Sequence, residues 1–308
     1  MHRVITSKSG MELLGYVFFT NYFYGICAVA LSIEASLQQQ LPMNGPGYYI
    51  LVFLATVLYY GYPYVGKCKN ISNNVRAIWH RRHYRFMLWN QLLVTVILFL
   101  SLLSFLKDHW LMLHSLLPLQ WVIIFIFPLT AALYYGINFL SGEYSLRKIG
   151  WLKPFIIGFT WAGLVTVYPV IFYRLIHKSA YQTNLVGGLL FLKNFMFVTV
   201  LCIMFDIKDY ATDYVNRVRT FVVNAGLRKT IFSILIPLSL LGLVSFLVYA
   251  IVHGFHPLKI VLNCVPFLLL IIIAFSFSKR HSILYYLAVV DGLMLLKAVC
   301  GGIAMACF

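Results

Sequence analysis

The chain has 308 residues, of which 62% are hydrophobic and 10% charged, with a mean hydropathy of +0.87 and a formal net charge of +16. Soluble domains are about half apolar and a quarter charged, so this composition excludes a water-solvated globule and leaves no room for a large soluble domain. The basic excess would suggest nucleic acid in a soluble protein; here it reads as membrane topology, with membrane lipids or phosphorylated ligands as partners and no nucleic acid.

A hydrocarbon core roughly 30 Å thick takes about 20 apolar residues per helical crossing. Hydropathy predicts such helices near 11–33, 47–66, 85–106, 116–140, 153–175, 184–205, 229–252, 256–278 and 281–304, a single all-α transmembrane domain over residues 1–308. In the first, Arg3 and Lys8 precede the apolar run and Ala28-Val29-Ala30 resembles a cleavage site. That run is too long and aromatic for a secretory signal, so no cleavage is expected. Asn21 within it needs either an amide bond to a neighbouring helix or a polar cavity.

After the second helix comes a loop with Lys67, Lys69, Arg76, Arg81, Arg82 and Arg85 and no acid. Such a run serves either as a topology anchor or as a clamp for a diphosphate, because Lys and Arg supply fixed charge and several donors to phosphate oxygens. His80 and His83 in the same stretch lack an accompanying metal-ligand pattern and read as solvated loop histidines.

Acidic residues are scarce: Glu12, Glu34, Asp108, Glu143, Asp206, Asp209, Asp213 and Asp291. Three of them fall directly after the predicted sixth helix, at i, i+3 and i+7, so a continuing helix puts Asp206, Asp209 and Asp213 on one face. Like charges at that spacing repel by a few tenths of a kcal/mol per pair. Compensation comes either from a divalent cation such as Mg²⁺, a hard ion that takes carboxylates and phosphate oxygens, or from Lys208, Arg217 and Arg219 at a solvated helix end.

The predicted ninth helix carries Asp291, whose charge at that depth costs about 2.5–3.5 kcal/mol and directs it to a cavity or a partner helix. Lys297, six residues on, is off that face and close enough to the helix end to snorkel. The six cysteines show no paired spacing and read as buried thiols.

Lys and Arg concentrate in alternate connections. With the N-terminus inside, inside segments hold 18 of the 24 basic residues, and outside segments hold only Lys107, Arg174, Lys178, Lys193 and Lys259. The expected orientation is N-terminus cytoplasmic and C-terminus outside, in a bacterial inner-type membrane.

Taken together, nine helices in this orientation and the stretch Asn194 to Gly226 resemble the UbiA-type intramembrane prenyltransferase superfamily. There, Phe205-Asp206-Ile207-Lys208-Asp209 with Asp213, then Arg217, Arg219-Thr220 and Asn224-Ala225-Gly226, look like that family's second aspartate-rich motif. Thr160-Trp161, Thr166, Pro169 and Asp291-Gly292 are softer echoes. The resemblance implies nine helices around a central cavity lined by Asn21, Tyr60 and Asp291, and transfer of an isoprenoid chain from a polyprenyl diphosphate to an aromatic or other lipid acceptor. It also implies Mg²⁺ on Asp206, Asp209 and Asp213, with Lys67, Lys69, Arg76, Lys208, Arg217 and Arg219 around the diphosphate. The family's first motif is acidic, whereas Tyr59 to Asn74 has no acid here. Either the cations of that loop replace one metal, or the protein keeps the fold as a lipid-binding or assembly protein. A transporter is the third reading, on Asp291 and Lys297. Acceptor, chain length and oligomeric state are not specified by the sequence.

Overall fold

The computed structural model describes residues 15–65, 75–114, 116–135, 149–177, 185–215, 217–277, 281 and 283–308. Among them every regular element is helical. The principal helices are α1 (Tyr22–Gln38), α2 (Pro46–Val65), α3 (Val75–Arg82), α4 (Tyr84–Asp108) and α5 (Pro118–Tyr135). They are followed by α6 (Lys153–His177), α7 (Leu185–Val215), α8 (Leu227–Val252), α9 (Pro257–Ser276) and α10 (Tyr286–Cys307).

Each predicted interval carries helix, and among the described residues six helices, α4 and α6 to α10, are long and apolar enough to cross a membrane. The protein is therefore an all-helical membrane protein. The face of α4 that its neighbours leave uncovered is itself apolar, with Leu92, Leu93, Val96, Phe99 and Leu100 exposed, as a helix solvated by lipid requires.

Two boundaries differ from the hydropathy reading. The predicted 11–33 helix is interrupted at Asn21, whose φ of 69° is left-handed; Asn tolerates that region better than most residues because its short amide can bond locally. The helix that follows runs on to Gln38, past its predicted end. The predicted 184–205 helix continues to Val215, which puts Asp206, Asp209 and Asp213 on one helical stripe.

The chain divides into two compact units, Met1–Val29 with Asn44–Leu113, and Ala30–Met43 with His114–Phe308. In the first, α2 packs along α4 around Leu54, Val57 and Val94. Gly61 permits this approach, because a Cβ there would lie 2.2 Å from Gln91 Oε1; Gln91 Nε2 in turn donates to the Leu58 carbonyl at 2.8 Å. Small residues at helix contacts are how apolar helices approach closely in lipid.

In the second unit α7 packs on both α6 and α8, α8 on α9, and α9 on α10. Leu190, Phe246, Tyr249 and Ala250 form a buried cluster. Two π-helical turns, Gly163–Val167 and Ile231–Leu235, interrupt α6 and α8, and a third, Tyr286–Val290, opens α10. Such turns release carbonyls from the regular ladder. In the first, Thr166 accepts from Gln39 Nε2 through its carbonyl at 3.1 Å and from Asn194 Nδ2 through its hydroxyl at 2.7 Å.

Candidate functional site

Three groups of buried polar side chains stand out, one in the first unit and two in the second. The aspartate stripe of α7 is graded in exposure. Asp206 is fully buried, and its Oδ1 accepts from Lys153 Nζ at 2.6 Å. Lys153 opens α6 beside Pro154, and α6 packs along α7, so the ammonium is delivered by helix packing. Asp206 Oδ2 is buried with no hydrogen-bond partner. Asp213 and Asp209 act on Asp206 electrostatically, yet among the described residues no three His, Cys, Asp or Glu side chains stand together as a metal-ligand set. Asp209 pairs with Lys208 at 3.2 Å and is 44% exposed.

Of the cations expected beside this stripe, Lys208 reaches Asp209. Arg217 and Arg219 are exposed beyond the end of α7, with Arg217 in the left-handed region at φ 55°. Lys153, which the sequence offered only as one more inside-facing charge, is the partner that matters to Asp206. Asp291 is buried, 2% exposed, immediately after the π turn of α10, where its N–H donates to the Tyr286 carbonyl.

The second group lies in the first unit and joins residues expected from separate arguments. Arg76, in the basic loop, donates from Nη2 to Asn21 Oδ1 at 2.6 Å. Its guanidinium lies 4.6 Å over the Tyr64 ring and 6.0 Å over Phe19. His80 stacks on the same Tyr64 ring, at 4.3 Å and 16°. These contacts exist because residues 75–82 form α3 rather than an extended loop, which brings Arg76 and His80 four apart onto one face.

His80 is therefore not a solvated loop histidine: it is 4% exposed, and neither ring nitrogen has a hydrogen-bond partner. Burial, with help from the Arg76 and His83 charges, pushes its imidazole down to about 4. Asn21 Nδ2 and Trp79 Nε1 are likewise buried without partners. Tyr60, one helical turn before Tyr64 on α2, stacks on Tyr24 at 4.8 Å. Lys67 and Lys69 lie outside the described residues.

The third group was not anticipated. Glu34, at 1% exposure, accepts from Lys297 Nζ at 2.6 Å and Lys193 Nζ at 3.2 Å. Gln38 and Asn263 complete it: Gln38 Nε2 donates to Glu34 Oε1 and to Asn263 Oδ1, both at 2.7 Å. Lys297 does not snorkel, since it is 2% exposed, and Lys193 lies within α7 rather than in an outside segment. The only trace of this group in the sequence is an acid, two lysines and two amides embedded in apolar runs, at separations of up to 263 residues.

No protein-family model matches the chain, and no curated protein or solved structure matches it. Fold and sites together define an integral membrane protein of several apolar helices with buried charged groups.

Proposed function

We propose that this protein is a membrane-embedded prenyltransferase-like protein that receives the diphosphate of a polyprenyl diphosphate at the Arg76 cluster and passes the isoprenoid chain to an aromatic or other lipid acceptor. The observation that carries the reading is the gathering of Arg76, Asn21, His80 and Trp79. A guanidinium fixed on an aromatic ring lies beside an amide NH₂, an imidazole and an indole N–H that find no acceptor among the described residues. Buried donors of this kind are satisfied by an oxyanion, and a fixed cation stabilises charge that develops on a departing pyrophosphate. The nine-crossing topology with a cytoplasmic N-terminus belongs to the same proposal.

We further propose, within the second unit alone, Mg²⁺ with Asp206, Asp209 and Asp213 as its ligands and Asp206 Oδ2, unpartnered among the described residues, as the oxygen that needs a partner. When bound, the ion would supply charge neutralisation to the three carboxylates. Lys153 already gives Asp206 one cation, and this observation favours a second reading in which the protein binds an isoprenoid lipid without turning it over.

Incubating the purified protein with labelled polyprenyl diphosphate, Mg²⁺ and a membrane lipid extract separates the readings. Pyrophosphate release supports transfer. Binding without release under any acceptor supports the second reading, and no binding at all removes both. Losing a charge-assisted hydrogen bond costs about 1.5–3 kcal/mol, so Arg76→Ala should weaken pyrophosphate binding roughly 10- to 100-fold.

A further inference from the structure

The Glu34 group holds two ammoniums and one carboxylate in a part of the molecule shielded from water. Glu34, Gln38, Lys193, Asn263 and Lys297 are each no more than 3% exposed. An uncompensated charge in such surroundings is costly, and the two lysines differ in how they are compensated. Lys193 directs its ammonium to three acceptors, Gln38 Oε1 at 3.0 Å, Glu34 Oε1 at 3.2 Å and Asn263 Oδ1 at 3.3 Å. Three N–H groups on three oxygens use its whole donor capacity.

Lys297 is different. Its single hydrogen bond among the described residues goes to Glu34 Oε2, and its other neighbour of note is the Phe197 ring, 5.7 Å from Nζ. Glu34 has little charge left to share, because its two oxygens already accept from Lys193, Gln38 and Lys297. The group therefore combines one excess positive charge with two ammonium hydrogens that have no acceptor among the described residues, both at the same atom.

We propose that Lys297 Nζ, held by Glu34, is a binding site for one small monovalent anion, a carboxylate or a halide. Such an anion cancels the excess charge and takes the two open hydrogens. Glu34 keeps the ammonium in place, and Lys193, Gln38 and Asn263 keep Glu34 in place. This site is separate from the diphosphate reading and does not rest on it.

The full-length protein, purified in detergent, tests the proposal by thermal unfolding at constant ionic strength, with sodium chloride or sodium acetate replacing sodium sulfate. A ligand that binds the folded state raises the midpoint in a saturable way, whereas screening of surface charge depends on ionic strength alone. We expect saturable stabilisation by chloride, acetate or both; the stronger of the two identifies the site as a halide or a carboxylate site. Lys297→Met leaves Glu34 balanced by Lys193 and should fold, and it should abolish the anion-dependent shift. Lys259→Met, at another lysine of the same unit, should retain it. No saturable shift in the wild type, or an undiminished shift in Lys297→Met, would overturn the proposal.

Discussion

The Glu34 and Arg76 groups meet burial in opposite ways. Around Glu34 donors and acceptors are matched inside the protein: every polar side chain in the group has a partner, and the imbalance is confined to Lys297. Around Arg76 the donors outnumber the acceptors, and Asn21, Trp79 and His80 all keep buried nitrogens without partners. Matched polar groups rigidify a fold, whereas unmatched ones mark a place where something else completes them. On this comparison substitutions in the Glu34 group should act mainly on stability, and substitutions in the Arg76 group mainly on ligand binding.

The largest effect should come from Glu34→Gln, which leaves Lys193 and Lys297 buried without their carboxylate. Breaking a buried ion pair from one side costs about 3–5 kcal/mol, measurable as a lowered midpoint in denaturant unfolding of the detergent-solubilised protein. A loss below about 1 kcal/mol would mean that the group is not the closed network described. Next comes Asp206→Asn. Lys153 is 24% exposed and can turn toward water, so the loss should be nearer the 1.5–3 kcal/mol of a single charge-assisted hydrogen bond. Asp209→Asn, in an exposed pair with its sequence neighbour, should change stability by no more than about 0.5 kcal/mol. Equal effects at Asp206 and Asp209 would dissolve the gradient along α7.

These differences also show what could be read from the sequence. The six helices long and apolar enough to cross a membrane were legible because lipid imposes one rule on every crossing, roughly 20 apolar residues. The alignment of Asp206, Asp209 and Asp213 was legible because it needs only the helical period. Lys153 as the partner of Asp206 was not, since 53 residues separate them and only the packing of α6 on α7 brings them together. The same holds for Glu34 with Lys193 and Lys297. His80 was misread for a local reason: a basic stretch after a helix looks solvated, yet residues 75–82 are helical and one face is buried against Tyr64 and Phe19. Asn21 was expected within a continuous helix, and single-residue left-handed conformations leave no trace in hydropathy.

A smaller effect than at Glu34 tests the packing that holds it. Gly301 of α10 has no room for a methyl group, because a Cβ would lie 2.6 Å from both Cγ and Oε1 of Glu34. Glu34 cannot swing aside without giving up Lys193 or Lys297. Gly301→Ala should therefore cost about 1–3 kcal/mol as an overpacking substitution. Gly302→Ala, the neighbouring position with nothing within 4 Å, should be neutral. A neutral Gly301→Ala would show that the carboxylate has freedom the close contact denies.

The last effect belongs to the Arg76 group and depends on pH. The His80 imidazole, ordinarily at 6.5, is pushed down to about 4 in the folded protein. Between those two values the unfolded chain binds a proton that the folded chain refuses, so stability rises with pH there. The contribution of neutral His80 is complete above about 6.5, is lost as the pH falls toward 4, and changes no further below that. His80→Phe keeps a ring against Tyr64 and removes the titration, so its thermal midpoint should fall less than that of the wild type over this window. An anion seated beside His80 favours the charged ring, and pyrophosphate should therefore shrink the acid-dependent loss in the wild type while leaving His80→Phe unchanged. If pyrophosphate leaves the wild-type slope where it was, the unmatched donors around Arg76 are not where the diphosphate binds, and the contrast with the Glu34 group loses its functional meaning.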